Sequence, residues 1–183
     1  MVGPVRHRRT GPGVIRSGFC NCFDFATAAF AWVPLPVSME THATDVPSPR
    51  SIHIHSAVLT SLSSHARQNP QQECCGLLAG RDAVITRAFP AHNAALNPAT
   101  AYEIAPEELF RLMREIRSAG LQLLGIYHSH PQGVPEPSPR DIAQAYYPEA
   151  AYFIISPRAH HEDPVRAFSI RDGTVSQLQI TVV

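Results

Sequence analysis

Short blocks of apolar residues recur along residues 51–183, and the spacing within each block predicts a helix or a strand. The clearest helix runs from Pro106 to Ala119, because proline suits its first position, two glutamates occupy the first turn and Gly120 ends it. The run from Leu121 to Tyr127 is mostly apolar, which indicates a central strand covered on both faces. Six or seven strands and three helices predict an α/β fold in which a single mixed-sheet domain is flanked by helices.

Shorter patterns predict the remaining elements. A helix is expected from Ser56 to about Asn69, and another from Ser138 through Tyr146. The other expected strands are Ile52–His55, Glu73–Gly80, Ala83–Phe89, Ala151–Ile155, Val165–Arg171 and Thr174–Val183, with a weaker signal at Tyr102–Ile104. Turns at Arg81-Asp82 and Asp172-Gly173 are expected to close two hairpins.

Residues 1–50 differ in character from the rest of the chain. Four arginines lie near the start, a mostly apolar stretch runs from Phe23 to Val33, and prolines then interrupt the sequence. A basic region before an apolar stretch resembles a signal peptide, but this stretch is short and contains Asp24. We therefore expect residues 1–50 to be a disordered tail and linker, or the start to be misassigned with Met39 as the true beginning, and residues 51–183 to form the domain.

Composition excludes several classes of function. The formal net charge is zero, which gives no reason to expect a nucleic-acid or membrane partner. All 15 basic residues are arginines, so mechanisms that need a Schiff-base or phosphate-binding lysine are excluded. The four cysteines (Cys20, Cys22, Cys74 and Cys75) lack zinc-knuckle spacing, and we expect reduced thiols in a cytoplasmic protein.

A candidate metal site follows the predicted central strand. His128 and His130 are two residues apart, so in an extended strand both imidazoles point to the same side. A proline then ends the strand, and a Ser-Pro-Arg-Asp segment places Asp141 in the first turn of a helix. Two histidines and one carboxylate leave a fourth position for water, which is the arrangement of catalytic zinc. A general base is also needed, and Glu73, at the entrance of a predicted strand, is the candidate.

Each piece of this constellation also has an ordinary structural interpretation. Ser138-x-x-Asp141 is a capping-box pattern, in which the carboxylate only accepts hydrogen bonds from helix amides. His53-x-His55 has the same spacing as the candidate pair, but no carboxylate at a helix start follows it, and we expect it to lie on a strand surface. The two adjacent cysteines after Glu73 are expected to be packed thiols.

Taken together, these positions resemble the JAMM motif of the JAMM/MPN-plus metalloprotease family. Glu73 precedes His128-Ser129-His130-Pro131, and the seven residues 131–137 separate His130 from Ser138-x-x-Asp141. Residue identities and spacings agree without a gap. The Glu-Cys-Cys-Gly-Leu-Leu-x-Gly strand is similar to the small prokaryotic branch of the family, which processes sulfur-carrier proteins.

The resemblance implies a fold, a reaction and a role for five residues. The fold would be the cytidine-deaminase-like JAMM/MPN architecture, and one catalytic zinc ion would be bound by His128, His130 and Asp141. Glu73 would act as general base and acid, and Ser138 would stabilise the oxyanion. The bond to be cut would be a peptide or isopeptide bond at the C-terminal tail of a small ubiquitin-like or sulfur-carrier protein.

Other functions stay open at this point. A non-catalytic MPN-type scaffold would normally have lost some motif positions, whereas all five are filled here. A DNA-repair-associated relative would need a basic face, but residues 39–183 contain 11 arginines against 14 acidic residues. A secreted or phage-type peptidoglycan peptidase would fit if the N-terminal segment were a signal. A zinc deaminase is disfavoured because its Cys-x-x-Cys is missing.

Overall fold

The computed structural model describes residues 51–158 and 164–183. The predicted tail over residues 1–50, with its two cysteines, lies outside the described residues. Within them the chain forms seven strands and three helices, in agreement with the apolar pattern. In chain order these are β1 (Ser51–Ile54), α1 (Ser56–Gln68), β2 (Cys75–Arg81), β3 (Val84–Ala91), α2 (Pro106–Ser118), β4 (Gln122–Ser129), α3 (Pro139–Ala143), β5 (Ala151–Ile155), β6 (Val165–Arg171) and β7 (Thr174–Val182).

The strands of the described residues form one closed sheet in the order β1-β3-β2-β4-β5-β6-β7, and β1 pairs in parallel with β7 to close it. β4 occupies a central position, antiparallel to β2 and parallel to β5. Its residues from Gly125 to Ser129 are all buried, which accounts for its apolar sequence on both faces. Parallel and antiparallel pairs in one sheet confirm the predicted mixed sheet.

One long helix covers each face of this sheet. Leu62 of α1 shares an apolar cluster with Phe153 of β5, whereas Ile116 of α2 belongs to a second cluster with Ile154. Successive residues of β5 point to opposite faces, so one strand contributes to both clusters. Fully burying one such side chain contributes roughly 1.5–3 kcal/mol, and these contacts hold both helices against the sheet. Of the helices in the described part of the chain, none is both long and apolar enough to span a membrane.

The segment between β3 and α2 differs from its prediction. Tyr102–Ile104 forms no strand, because the N–H of Glu103 donates to the side-chain Oδ1 of Asn93 (3.1 Å) and its carbonyl accepts from the N–H of Ala94 (2.8 Å). These hydrogen bonds keep the segment within its own loop instead of adding it to the sheet. The connection between β3 and α2 is therefore stabilised by hydrogen bonds between its own residues.

Two other boundaries are corrected. α3 ends at Ala143 rather than Tyr146, because the N–H of Tyr147 donates to the hydroxyl of Tyr152 (3.0 Å), which ties the following segment to β5. β2 begins at Cys75, so Glu73 precedes the strand instead of forming part of it. The second of these differences matters for the site described below.

Both predicted hairpins are present, one with a turn displaced by a residue. Asp172 and Gly173 have positive φ angles of 49° and 76°, as a two-residue hairpin turn requires. The β2–β3 turn is formed by Asp82 and Ala83, with φ angles of 49° and 61°, rather than by Arg81-Asp82. An alanine at positive φ is uncommon, which is why composition alone misplaced this turn.

Candidate metal centre

His128 and His130 lie at the end of the central strand β4. His128 pairs with Cys75 of β2 and Ile154 of β5. The N–H of His130 donates to the carbonyl of Ile155 (2.8 Å), which continues the extended backbone one residue past β4. Both imidazoles therefore point to the same side, and their Nε2 atoms are 3.0 Å apart.

Asp141 reaches the same point from the first turn of α3. Its Oδ1 lies 3.4 Å from Nε2 of His128, and its Oδ2 lies 3.4 Å from Nε2 of His130. The same carboxylate closes a capping box, because it accepts from the N–H of Ser138 (2.7 Å) while the Ser138 hydroxyl accepts from the N–H of Asp141 (3.2 Å). One side chain thus both starts the helix and faces the two imidazoles.

The donor set of these three side chains suits a zinc ion. Ligands about 2.0–2.1 Å from tetrahedral zinc lie roughly 3.3 Å from one another, and the separations here are 3.0, 3.4 and 3.4 Å. The carbonyl of Val134 can only accept, so Nδ1 of His130 carries the proton and donates to it (2.9 Å), leaving the Nε2 lone pair free for a metal. Among the described residues, these three form the only such group placed to hold a metal ion.

The protonation of Asp141 and His128 also favours metal binding, whereas in His130 burial lowers the pKa but the hydrogen bonds to Asp141 and to the Val134 carbonyl outweigh burial and raise it. Burial alone would raise the pKa of the Asp141 carboxyl, but the ring nitrogens of His128 and His130 and the Ser138 hydroxyl outweigh burial and lower that pKa. Burial lowers the pKa of His128, although Asp141 opposes this effect. An ionised carboxylate and a neutral imidazole are the forms that coordinate metals.

Glu73 is brought toward the histidines by the pairing of β2 with β4. The N–H of Ser129 donates to the carbonyl of Cys74 (3.0 Å), and the N–H of Cys74 donates to the Ser129 hydroxyl (2.9 Å). Continuing this antiparallel register by one residue places Glu73 beside His130. The structure thus brings the predicted base to the predicted ligands, although they are more than 50 residues apart in sequence.

The Glu73 side chain is buried, with 6% of its surface exposed. Burial raises the pKa of its carboxyl to about 7; the charge of His130 opposes this shift and that of Asp141 adds to it. A group with a pKa near neutrality can both accept and return a proton, which suits a general base that later acts as an acid.

The raised pKa predicts a pH-dependent cost of burying Glu73 in the metal-free protein. The folded pKa of about 7 exceeds the ordinary 4.5, so the folded state holds the proton more tightly, and stability is lost as pH rises from about 4.5 through 7. Glu73→Gln carries no such charge and is expected to be about 3 kcal/mol more stable than wild type at pH 8, with little difference at pH 4.5. Urea unfolding across this range measures the effect.

The exposed Glu149 offers a matched control for this measurement, since 85% of its side chain is in solvent. Glu149→Gln is expected to change the free energy of unfolding by less than about 0.5 kcal/mol, as for most exposed substitutions. A Glu73→Gln difference that is the same at pH 4.5 and pH 8 would contradict the buried, proton-binding state of Glu73.

Tyr102 is a site residue that the sequence patterns did not indicate. Its ring stacks on the imidazole of His128, with centroids 4.5 Å apart and an angle of 20° between planes. It also lines a cleft of about 350 Å³ whose other walls are mostly aromatic and aliphatic, with Glu103 and Arg140 as charged groups. Only the weak strand signal marked this segment, and that signal carried no information about the histidine.

The cysteines and the second histidine pair are not part of this centre. Cys74 and Cys75 are buried free thiols, and burial raises the pKa of Cys75 to about 12, so its thiol stays protonated. Their packing agrees with the expected structural role. Within the described range, neither His53 nor His55 belongs to a group that could hold a metal ion.

Comparison with known proteins adds three findings. Residues 55–171 match the family described as prokaryotic homologs of the JAB domain. A desampylase of Haloferax volcanii is 45% identical over 103 residues, covering 53% of this chain and 74% of that protein. A probable TtuB-protein conjugate cleaving protease of Thermus thermophilus is 36% identical over 122 residues, covering 67% of this chain and 78% of that protein.

A solved structure shows the same fold. The solution structure of protein DSY2949 from Desulfitobacterium hafniense is similar to this chain with 31% sequence identity and a TM-score of 0.64. The similarity covers 72% of this chain and 92% of that one, so most of the described domain shares that protein's fold.

Proposed function

Because the chain belongs to the family of prokaryotic homologs of the JAB domain, we propose that it is a JAMM-type zinc metallopeptidase. Its substrate would be a peptide or isopeptide bond at the C-terminal tail of a small ubiquitin-like or sulfur-carrier protein. The proposal assigns catalysis to residues 51–183 and places the protein in the cytoplasm. The observation that carries it is the convergence of two imidazoles and one carboxylate beside the buried Glu73.

The proposed metal ligands are His128, His130 and Asp141. When bound by them, zinc would lower the pKa of a coordinated water toward ~7 and so supply a nucleophile at neutral pH. β4 and α3 hold the ligands from two separate elements, and the capping hydrogen bonds of Ser138 orient the carboxylate. The site therefore needs little rearrangement to receive the metal.

Glu73 would take a proton from the attacking water and return it to the leaving amine. Its pKa of about 7 allows both transfers near neutral pH. Because its side chain is buried, bulk water would have little access to the carboxyl that carries this proton. This role requires no direct contact between Glu73 and the metal.

Ser138 would stabilise the negative oxygen that forms on the scissile carbonyl. In the structure its hydroxyl donates to Oδ2 of Asp141 (2.7 Å). Oxyanion stabilisation would require that hydrogen to turn from Asp141 toward the substrate, while the N–H of Asp141 continues to donate to the hydroxyl oxygen. The hydroxyl is thus held in place by the helix start.

The substrate assignment is supported by the relatives and by the cleft beside the site. One similar protein is named for cleaving TtuB-protein conjugates. Beside the stacked Tyr102, the cleft offers apolar walls to an extended chain, and Arg140, which precedes Asp141 in sequence, adds a positive charge to its lining. A flexible C-terminal tail of a small protein could enter such a cleft.

An assay with two matched substrates tests this function. A ubiquitin-like carrier protein ending in Gly-Gly would carry either a short peptide extension or a second protein joined through a lysine isopeptide bond. We expect cleavage after Gly-Gly of at least one substrate, loss of cleavage after chelation, and recovery on adding one equivalent of Zn²⁺. Mass spectrometry identifies the new terminus.

Two results would redirect the proposal. Zinc-loaded protein that cleaves neither carrier substrate but cleaves a peptidoglycan stem peptide would support a cell-wall peptidase instead. Protein that binds zinc and the carrier without cleaving any substrate would support a non-catalytic scaffold.

A further inference from the structure

The loop between β3 and α2 is organised by one side chain, that of Asn93. Its Nδ2 donates to the carbonyls of Glu73 (2.9 Å) and Ala101 (2.8 Å). Its Oδ1 accepts from the N–H groups of Ala95 (3.0 Å) and Glu103 (3.1 Å). An asparagine amide has two donor hydrogens and two acceptor lone pairs, so every hydrogen-bonding position is used. No other residue type of this length presents the same set.

One of these four hydrogen bonds binds the main chain of Glu73. Because Glu73 precedes β2, the sheet hydrogen bonds do not fix its main chain. Instead, its N–H donates to the carbonyl of Pro98 (2.7 Å) and its carbonyl accepts from Asn93. The main-chain N–H and the carbonyl of Glu73 are therefore both bound by the loop that Asn93 organises.

Two other hydrogen bonds of Asn93 bind the main chain on either side of Tyr102. The carbonyl of Ala101 and the N–H of Glu103 flank this residue on either side, and both are bound by Asn93. The Tyr102 ring stacks on His128. The Asn93 side chain thus links the main chain of Glu73 to the segment whose Tyr102 ring contacts His128.

We propose that Asn93 is a positioning residue for the reaction, holding Glu73 and the Tyr102 segment in their working geometry. This inference rests on the proposed function, in which Glu73 transfers the proton. A proton-transfer group must lie within hydrogen-bonding distance of its partner, and a displacement of about 1 Å can lower the rate by 10²-fold. Without Asn93, the Glu73 carbonyl and three further main-chain groups lose their partner.

The test compares Asn93→Ala with Asn93→Asp and with a remote control, Asn69→Ala. Aspartate keeps both acceptors but loses both donors, so it releases the Glu73 carbonyl while still binding the N–H groups of Ala95 and Glu103. In the control, the amide of Asn69 donates to the carbonyl of His65 (2.9 Å) at the end of α1. Turnover is expressed per bound zinc, which removes differences in folded fraction.

We expect kcat per bound zinc to fall by about 10- to 100-fold in both Asn93 variants, and by less than twofold in Asn69→Ala. Combined with Glu73→Gln, Asn93→Ala should lower the residual turnover by at least fivefold less than it does in the wild-type background, because one of the two groups that it positions is already absent. A purely structural role would lower turnover equally in both backgrounds. If Asn93→Ala does not fold, Asn93→Asp decides the matter.

Hydrogen exchange separates a failure of this inference from a failure of the proposed function. The Glu73 amide should exchange at least tenfold faster in Asn93→Ala than in wild type, whatever the substrate. Wild-type protein that cleaves none of the substrates, with faster Glu73 exchange in the variant, would overturn the function but keep the placement. An active Asn93→Ala variant with unchanged kcat and unchanged Glu73 exchange would overturn the placement alone.

Discussion

Glu73→Gln is expected to lower turnover of the carrier substrate by about 10²–10⁴-fold while the zinc content stays at the wild-type level. Glutamine has nearly the shape of glutamate, but its amide cannot accept the proton of the attacking water at neutral pH. Glu73 is also not one of the three side chains that converge on the metal position. The substitution therefore removes the proposed proton transfer without removing a ligand.

Steady-state kinetics and elemental analysis of the same sample measure the two quantities together. Glu107, an exposed residue in the first turn of α2, provides the control, and Glu107→Gln should have wild-type kcat and zinc content. Full activity in Glu73→Gln would rule out Glu73 as the base. Loss of zinc in that variant would instead show that the glutamate helps to hold the metal.

His130→Ala is expected to lose both zinc and turnover. A structural four-ligand zinc site contributes about 10–16 kcal/mol, which corresponds to roughly 2.5–4 kcal/mol for each ligand and an affinity about 10²–10³-fold weaker when one is removed. The Nε2 of His130 lies 3.0 Å from that of His128, so its removal opens one side of the centre. Competition with a zinc chelator of known affinity measures the change.

The chain supplies its own control for this experiment in His53-x-His55. His55 is exposed and its side chain forms no capping hydrogen bond, so His55→Ala should keep zinc and activity. Asp141→Asn repeats the test at the third proposed ligand, since the amide oxygen can still accept from the N–H of Ser138 while binding zinc weakly. Wild-type zinc affinity in both His130→Ala and Asp141→Asn would overturn the proposed ligand set.

The local parts of the site were accessible from sequence because they depend on short-range geometry. Residues two apart in a strand share a side, which is why His128 and His130 converge. A Ser-x-x-Asp pattern starts a helix, and the structure shows that its carboxylate faces the imidazoles as well. The catalytic roles of these residues and of Glu73 stay predictions until the variants are measured.

The contributions of Asn93 and Tyr102 could not be found in the same way. Both lie in a 14-residue connection between β3 and α2 that has no periodic pattern. Their partners, Glu73 and His128, are 20 and 26 residues away in sequence and come close only because β2, β3 and β4 are neighbours in the sheet. The four hydrogen bonds between the Asn93 amide and main-chain groups leave no trace in apolar spacing.

By itself the sequence determined the type and approximate position of the main elements, the mixed sheet, the shared side of two histidines and the helix start at Ser138-x-x-Asp141. These properties follow from periods of two and 3.6 residues and from capping, which act over a few neighbouring positions. Only the tertiary structure decided that Glu73 lies outside β2, that a loop holds it, and that its carboxyl is buried with a pKa of about 7. Burial and long-range hydrogen bonds depend on which distant segments pack together, and the pairing of strands in the closed sheet decides this.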